Sequence, residues 1–582
     1  MKKLIPAVLI FALLSASCRK ETPPMSGSLE ELVAQMTLAE KIGQMTQAER
    51  ADIRAGDISG YALGSVLSGG GSAPAQNNPA GWYRMVNGFV TESLQTRLKI
   101  PVIYGIDAVH GHNNALNSVI FPHNAALGAI AAGNPEKGAQ AAYTAGHITA
   151  QEMIATGIRW TFAPVLGVPD DIRWGRTYEC YSENVDIVTL MGVSAVKGLQ
   201  DGGAAVCIKH FIGEGQTLSG RNQGNAFLDR AGIERLLPPY RAAIDAGAMA
   251  VMISFSSVNG IKMHEHKELI TGLLKEELGF TGMVLSDWDA VRQLSGGTYK
   301  KQIANAVNAG IDMLMATNGR NSWENYIQLL TELVEEGTVP LSRIDDAVLR
   351  ILRFKQSAGI LDKPALGGAG SIGTKEHREK ARAIVSDSLV LLRNENDVIA
   401  SLPSCKNILV AGHGANNIGM QCGGWTITWQ GFHGAATSGT TIYEGIQEAV
   451  NGKANVTYDA EGRADGEFDV VIAVIGEDPY AETEGDRINN IDIRRRDINM
   501  LWDVYSYGCP VVVIMLSGRP MTIGDEYKDW DAFIAAWLPG TEGGGIADVL
   551  FGSRDFTGRT PYTWRKTIDG EVLYPFGFGL SK

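Results

Sequence analysis

From residue 29 to about residue 362, short apolar runs alternate with stretches whose apolar positions recur at helical spacing. The runs fall at 65–67, 101–106, 126–130, 160–164, 205–209, 249–255, 282–286 and 312–315. The helix-like stretches between them include 233–245 and 267–278. Eight strand-then-helix units in succession predict a (β/α)8 barrel of the TIM type over residues 29–362. The run at 126–130 is the least strand-like and reads equally as a loop or a helix start. In such a barrel, chemistry gathers at the C-terminal strand ends. Here those ends carry Asp107, His110, Arg176, Lys209, His210, Asp287 and Trp288. So many polar groups at equivalent places are not accounted for by core packing.

The pattern changes after residue 362. Residues 363–375 are rich in Gly and Pro and read as a linker, followed by a helix-like stretch at 376–394. A second strand–helix series has nearly continuous apolar runs at 408–411, 470–475, 511–516 and 533–537. Runs of that kind suit a parallel sheet covered on both faces. They predict a smaller α/β sandwich domain over 400–582, with 363–399 as linker and helix.

The first residues read as an address. Met1-Lys2-Lys3 is basic, 4–14 is mostly apolar, and small residues precede Cys18 in Leu14-Ser15-Ala16-Ser17-Cys18. This reads as a bacterial lipoprotein signal over 1–18, with Cys18 acylated and 19–28 a tether. A plain secretory signal with an incidental cysteine is the alternative. On the lipoprotein reading, the mature chain sits in the periplasm or on the outer membrane, held to lipid only through Cys18.

Composition narrows the partners. Of 582 residues, 45% are hydrophobic and 20% charged, the balance of an ordinary globular chain. A net charge of -13, with no Lys/Arg-rich run, speaks against a nucleic-acid partner and suits neutral substrates. Apart from Cys18, the cysteines Cys180, Cys207, Cys405, Cys422 and Cys509 are widely spaced, without a C-x-x-C pair, and read as buried thiols.

Several segments carry chemistry. Val284-Leu285-Ser286-Asp287-Trp288-Asp289 delivers a carboxylate and an indole to a barrel mouth; the plain alternative is a helix-capping Asp. Lys209-His210 and Arg173-Trp174-Gly175-Arg176 offer donors for hydroxyl or carboxylate groups. Asp107 lies in Tyr104-Gly105-Ile106-Asp107-Ala108-Val109-His110-Gly111-His112, whose histidines lack the companions a metal site needs. Trp425 and Trp429 stand in a Gly-rich loop, an unusual place for core tryptophans. Glu482 lies in a dense acidic loop, with Glu477, Glu484 and Asp486, after the apolar run 470–475. Gly412-His413-Gly414-Ala415-Asn416-Asn417 begins like a dinucleotide fingerprint but has Asn417 where the third glycine belongs.

Taken in order, these segments closely resemble glycoside hydrolase family 3, in its β-glucan exohydrolase and β-glucosidase branch. Met36-Thr37-Leu38-Ala39-Glu40-Lys41-Ile42-Gly43-Gln44-Met45 joins the match, which runs from about residue 30 to the C-terminus. The resemblance implies an active site in the cleft between barrel and sandwich; from the residues themselves no metal or cofactor is expected. It implies Asp287 as nucleophile and Glu482 as acid/base. Asp107, Arg176, Lys209 and His210 would bind glucosyl hydroxyls. Trp288 and Trp429 would sandwich the next sugar of a β-linked gluco-oligosaccharide, with Trp425 in support. The chain departs from the branch at Phe255, where a Tyr is frequent, and at Gln223, where a Glu is expected. The loop 213–221 lacks the Asp-Ser-His pattern from which N-acetylglucosaminidases of the family draw their acid, which favours Glu482.

The implied activity is that of a retaining, exo-acting β-glucosidase. Arg176 and Lys209 are expected to keep Asp287 ionised, and the acidic neighbours of Glu482 to keep it protonated. Two other readings remain: a β-xylosidase of the same family, and a surface protein that binds carbohydrate without cleaving it.

Overall fold

The computed structural model describes residues 27–581. Cys18, the leader and most of the tether lie outside them. Eight parallel strands form the first unit: β1 (Thr46–Glu49), β2 (Ser65–Ser68), β3 (Ile103–Ile106), β4 (Trp160–Thr161), β5 (Ala205–Phe211), β6 (Ala250–Ile253), β7 (Met283–Leu285) and β8 (Leu314–Met315). They are ordered β7-β6-β5-β4-β3-β2-β1-β8, and a parallel bridge between Leu285 and Met313 closes the ring. Asp312 braces the closure, accepting from Val284 N–H at 2.8 Å while paired with Lys275 at 2.7 Å.

The eight strands are not quite the eight expected. Residues 126–130 belong to the helix Asn124–Gly133, and the first strand is instead Thr46–Glu49. Both misreadings have a physical cause. The helix is apolar nearly all round because it is wedged between the two units: Ala125, Ala126 and Ala129 pack with Val390, Ala535 and Trp537 of the second. A helix buried on every side has no polar face to reveal its period. Conversely, β1 is Thr-Gln-Ala-Glu, polar yet wholly buried. Two of its side chains donate to buried neighbours, Thr46 to Ile42 O and Gln47 to Ser65 Oγ. Such a strand carries no apolar run to read.

The second unit is a six-stranded sheet: β9 (Val390–Asn394), β10 (Asn407–Ala411), β11 (Asn455–Asp459), β12 (Val470–Gly476), β13 (Val511–Leu516) and β14 (Ala532–Trp537). The order is β9-β14-β13-β12-β10-β11, with β9 antiparallel to β14. The stretch read as one helix over 376–394 is the helix Lys375–Ser388 followed by β9. The edge strand β11 escaped notice because it is polar and half-exposed.

Alternation along the central strands builds two cores. Val471, Ala473, Ile475, Val513 and Met515 face one way, toward the barrel's wedge helix and Tyr178. Val470, Ile472, Val474, Val512 and Ile514 face the other, where they meet Val385, Ile446 and Ile546 of covering helices. Of the thiols, Cys180, Cys207 and Cys422 are buried, whereas Cys405 and Cys509 are only partly covered. Among the described residues, no helix is long and apolar enough to cross a membrane.

Candidate active site

The barrel's C-terminal strand ends face the sheet unit across a cavity of about 810 Å³. Asp107 follows β3, Arg176 lies in the long loop after β4, Lys209 and His210 end β5, and Asp287 and Trp288 follow β7. The sheet unit contributes Trp425 and Trp429 from the loop after β10, and Glu482 from the loop after β12. All nine sequence-predicted residues line this one cavity.

Its floor is charged and nearly dry. Arg176, Lys209 and His210 are at most 3% exposed. Buried charges need partners, and Arg176 and Lys209 each have one. Arg176 makes two 2.9 Å bonds to Glu179, and its Nη1 stands 3.5 Å from Glu482 Oε1. Lys209 Nζ donates to Asp107 Oδ1 at 2.6 Å. His210 Nδ1 lies 2.7 Å from Glu214 Oε2, and its Nε2 faces Asp287 Oδ2 at 3.6 Å. Burial, then the charges of Arg176 and Lys209, hold His210 neutral. Burial pushes the Glu214 carboxyl up to about 7.

Asp287 is held by its backbone. Its N–H donates to His264 Nε2 at 2.9 Å, and its Oδ1 accepts from Trp288 N–H at 2.7 Å. Oδ2 is buried without a hydrogen bond. Burial raises the Asp287 carboxyl to about 6, against the opposing pull of Arg176, Trp288 N–H and Lys209. The cations therefore temper the rise but do not cancel it, and Asp287 is ionised above about pH 6.

Glu482 is raised further, to about 7, first by burial and then by the charges of Asp287 and Glu179, with Arg176 opposing. The acidic neighbours in its own loop are not the cause, contrary to the sequence reading. Glu477 is engaged by Arg519 at 3.1 Å, and Asp486 accepts from the barrel's Gly175 and Asn222 N–H groups. Glu482 itself has φ of +52°, a left-handed backbone that side-chain-bearing residues seldom adopt.

Close approach across the cleft depends on glycine. A Cβ on Gly175 would stand 2.0 Å from the Glu482 carbonyl oxygen. Gly69 and Gly70, just past β2, make room for the indoles: a Cβ there would lie 2.7 Å from Trp288 Cζ3 and 2.8 Å from Trp429 Cα. Trp288 and Trp429 are 38% and 42% exposed, whereas Trp425 is 6% exposed. Trp425 forms a wall, with Lys209 Nζ and the Arg176 guanidinium 5.7 and 5.9 Å from its ring centre. The cavity is thus polar and charged at depth and aromatic toward its rim.

His110 and His112 do not line the cavity. His110 stacks on His123 at 3.6 Å, and His112 Nε2 meets Thr156 Oγ1 at 2.9 Å, so the pair face different partners. Phe255 and Gln223 line the cavity, and Gln223 Oε1 accepts from Gln293 at 2.9 Å.

Three supporting residues escaped the sequence reading: Glu179, Glu214 and His264. Glu179 and Glu214 follow their partners by three and four residues, a spacing that a search for second carboxylates could have used. His264 is 23 positions from Asp287, and only the fold joins them.

A barrel mouth with one carboxylate from each unit, buried cations at depth and indoles at the rim defines a glycoside hydrolase. The chain belongs to glycosyl hydrolase family 3: the profile of the family's N terminal domain matches residues 37–354, and that of its C-terminal domain matches 389–582. It is 33% identical to a lysosomal beta glucosidase of Dictyostelium discoideum, over 94% of this chain and 73% of that one. It is 28% identical to a periplasmic beta-glucosidase of Salmonella typhimurium, over 84% and 72% of the two chains. Its fold matches the crystal structure of an exo-1,3/1,4-beta-glucanase from a Pseudoalteromonas species with a TM-score of 0.89 at 35% identity, covering 97% of this chain and 75% of that one.

A methyl group at Gly69 must displace the Trp288 indole. Gly69→Ala is therefore expected to weaken oligosaccharide binding by about 1 kcal/mol, roughly fivefold, through lost stacking. Titration followed by tryptophan fluorescence reads this, and unchanged affinity would remove Trp288 from the binding wall.

Proposed function

We propose that the protein is a retaining, exo-acting β-glucosidase that removes glucose from the non-reducing ends of β-glucans and their oligosaccharides. One observation carries the reading. Asp287 from the barrel and Glu482 from the sheet unit line one cavity, and Asp107, Arg176, Lys209 and His210 line it with them. The depth gradient supports exo action: buried hydrogen-bonding groups suit one terminal sugar, and the exposed indoles suit the face of the next.

In the first step, an Asp287 carboxylate oxygen attacks the anomeric carbon and the bond to the leaving oxygen breaks. Glu482 gives its proton to that oxygen. In the second, Glu482, now a carboxylate, takes a proton from water. The water oxygen attacks the anomeric carbon and releases the Asp287 carboxylate. His264 and the Trp288 N–H fix the Asp287 backbone and Oδ1. Oδ2 faces the neutral His210 Nε2 at 3.6 Å. The Glu179 bond keeps the Arg176 guanidinium beside both carboxyl groups.

The mechanism needs Asp287 ionised and Glu482 protonated together. With the two at about 6 and about 7, kcat/KM should rise as pH climbs through about 6 and fall as it passes about 7. A rate flat from about pH 5 to 8 would contradict this pairing.

Asp287→Ala is expected to abolish hydrolysis, by about four or more orders of magnitude. Glu482→Ala should cost disaccharides about a hundredfold or more in kcat/KM while sparing an activated aryl glucoside, whose leaving group needs no proton. A fluorosugar inactivator that traps the glycosyl ester should label Asp287. A protein that only binds carbohydrate would yield no adduct, and equal losses on both substrates in Glu482→Ala would count against Glu482.

We further propose placement on a membrane surface through an acylated Cys18, supported by the apolar run 4–14 and the small residues before Cys18. Cys18→Ser should shift the protein from the membrane fraction to the soluble fraction. Retention in the membrane fraction would refute the anchor.

A further inference from the structure

We infer that Arg519 is a positioning residue for the acid/base: one buried guanidinium that fastens the Glu482 loop to the barrel. The inference rests on the reading of Glu482 given above. Arg519 follows β13, beside the end of β12 where the Glu482 loop begins; Gly476 pairs with Leu516 across these strands. It is fully buried and is among the largest wholly enclosed side chains of the chain.

Its donors are divided between the two units. Nη1 donates to three barrel carbonyls, those of Ile172, Arg173 and Trp174, at 3.2, 2.9 and 3.3 Å. That barrel segment runs directly into Arg176. Nη2 donates to Gly485 O at 2.5 Å, at the end of the short helical turn Glu482–Gly485. Nε and Nη2 reach Glu477 Oε1 at 3.3 and 3.1 Å, at the start of the loop. Glu477 Oε2 in turn accepts from Tyr480 Oη and Gly518 N–H. One cation thus holds the beginning and end of the segment bearing Glu482, together with the barrel segment bearing its neighbour Arg176.

A buried guanidinium is well suited to this task and an ammonium is not. Its planar fork offers five donors at fixed angles, so it can bridge carbonyls from two backbones and a carboxylate at once. The Lys nitrogen is a single point with three donors and cannot span the same acceptors. The left-handed backbone of Glu482 also needs outside restraint, since a free loop would relax away from it. Loosening the clamp should therefore let Glu482 drift from the leaving oxygen, while Asp287, held from β7 and His264, stays in place.

The test compares leaving groups. Arg519→Lys should lower kcat/KM on a glucose disaccharide by about ten- to a hundredfold, the size expected for a misplaced general acid. On a dinitrophenyl β-glucoside the same variant should lose less than about threefold, and on the disaccharide its alkaline pH limb should move. A role in stability alone would lower both substrates together. Equal losses, or none, would overturn the inference. Glu482→Ala is run in parallel. If it lacks the leaving-group selectivity, the reading of Glu482 fails; if it shows the selectivity and Arg519→Lys does not, only the clamp fails. Should Arg519→Lys not fold, Glu477→Gln carries the same comparison, since it keeps the shape of the carboxyl group but removes the charge that orients the guanidinium.

Discussion

Beside the apolar wedge helix, the interface between the barrel and the sheet unit carries polar groups that neither unit satisfies alone. Tyr178 of the barrel donates to Tyr480 O, and Tyr562 of the sheet unit donates to Thr177 O and Cys180 O. His123 N–H bonds to Leu538 O, and Asp486 accepts from Gly175 N–H. Each such group, left buried and unpaired, costs roughly 1–3 kcal/mol. Sliding one unit against the other would strand many of them together, so the contact has one favoured geometry. Chemistry shared between the units depends on that geometry holding to within about an ångström.

The same interface sets the electrostatics. Closing the cleft removes water from Asp287 and Glu482, and burial is the leading cause of the rise in both. The barrel's cations oppose that rise, and the mutual charge of the two carboxyls raises Glu482 in addition. Unequal neighbours in one buried site thus act differently on the two carboxyls. The paired carboxylates Glu179 and Asp107 keep the cations Arg176 and Lys209 from being stranded in that buried site.

Much of this was legible along the chain. Seven of the barrel strands show as apolar runs because their side chains face a core on both sides, and the four apolar strands of the second sheet show for the same reason. The polar residues at barrel strand ends were legible because nothing in a core explains them. What was hidden was hidden for physical reasons. The strand Thr46–Glu49 buries polar groups that pair inside the ring, and the helix Asn124–Gly133 is apolar all round because both units cover it. Glu477 and Asp486 looked like modifiers of Glu482, but their charges are already committed to Arg519 and to barrel N–H groups.

The sequence by itself determined the two-unit plan, the family, and which side chains gather at strand ends, because these follow from local periodicity and from motifs read in order. Only the tertiary structure decided what those side chains touch. Asp287 meets His264, Glu482 meets Arg176, and Arg519 reaches backbone more than 340 positions away. Such contacts arise from how the ring closes and how the sheet docks on it. No local pattern encodes the distance between residues that approach only when two cores have formed.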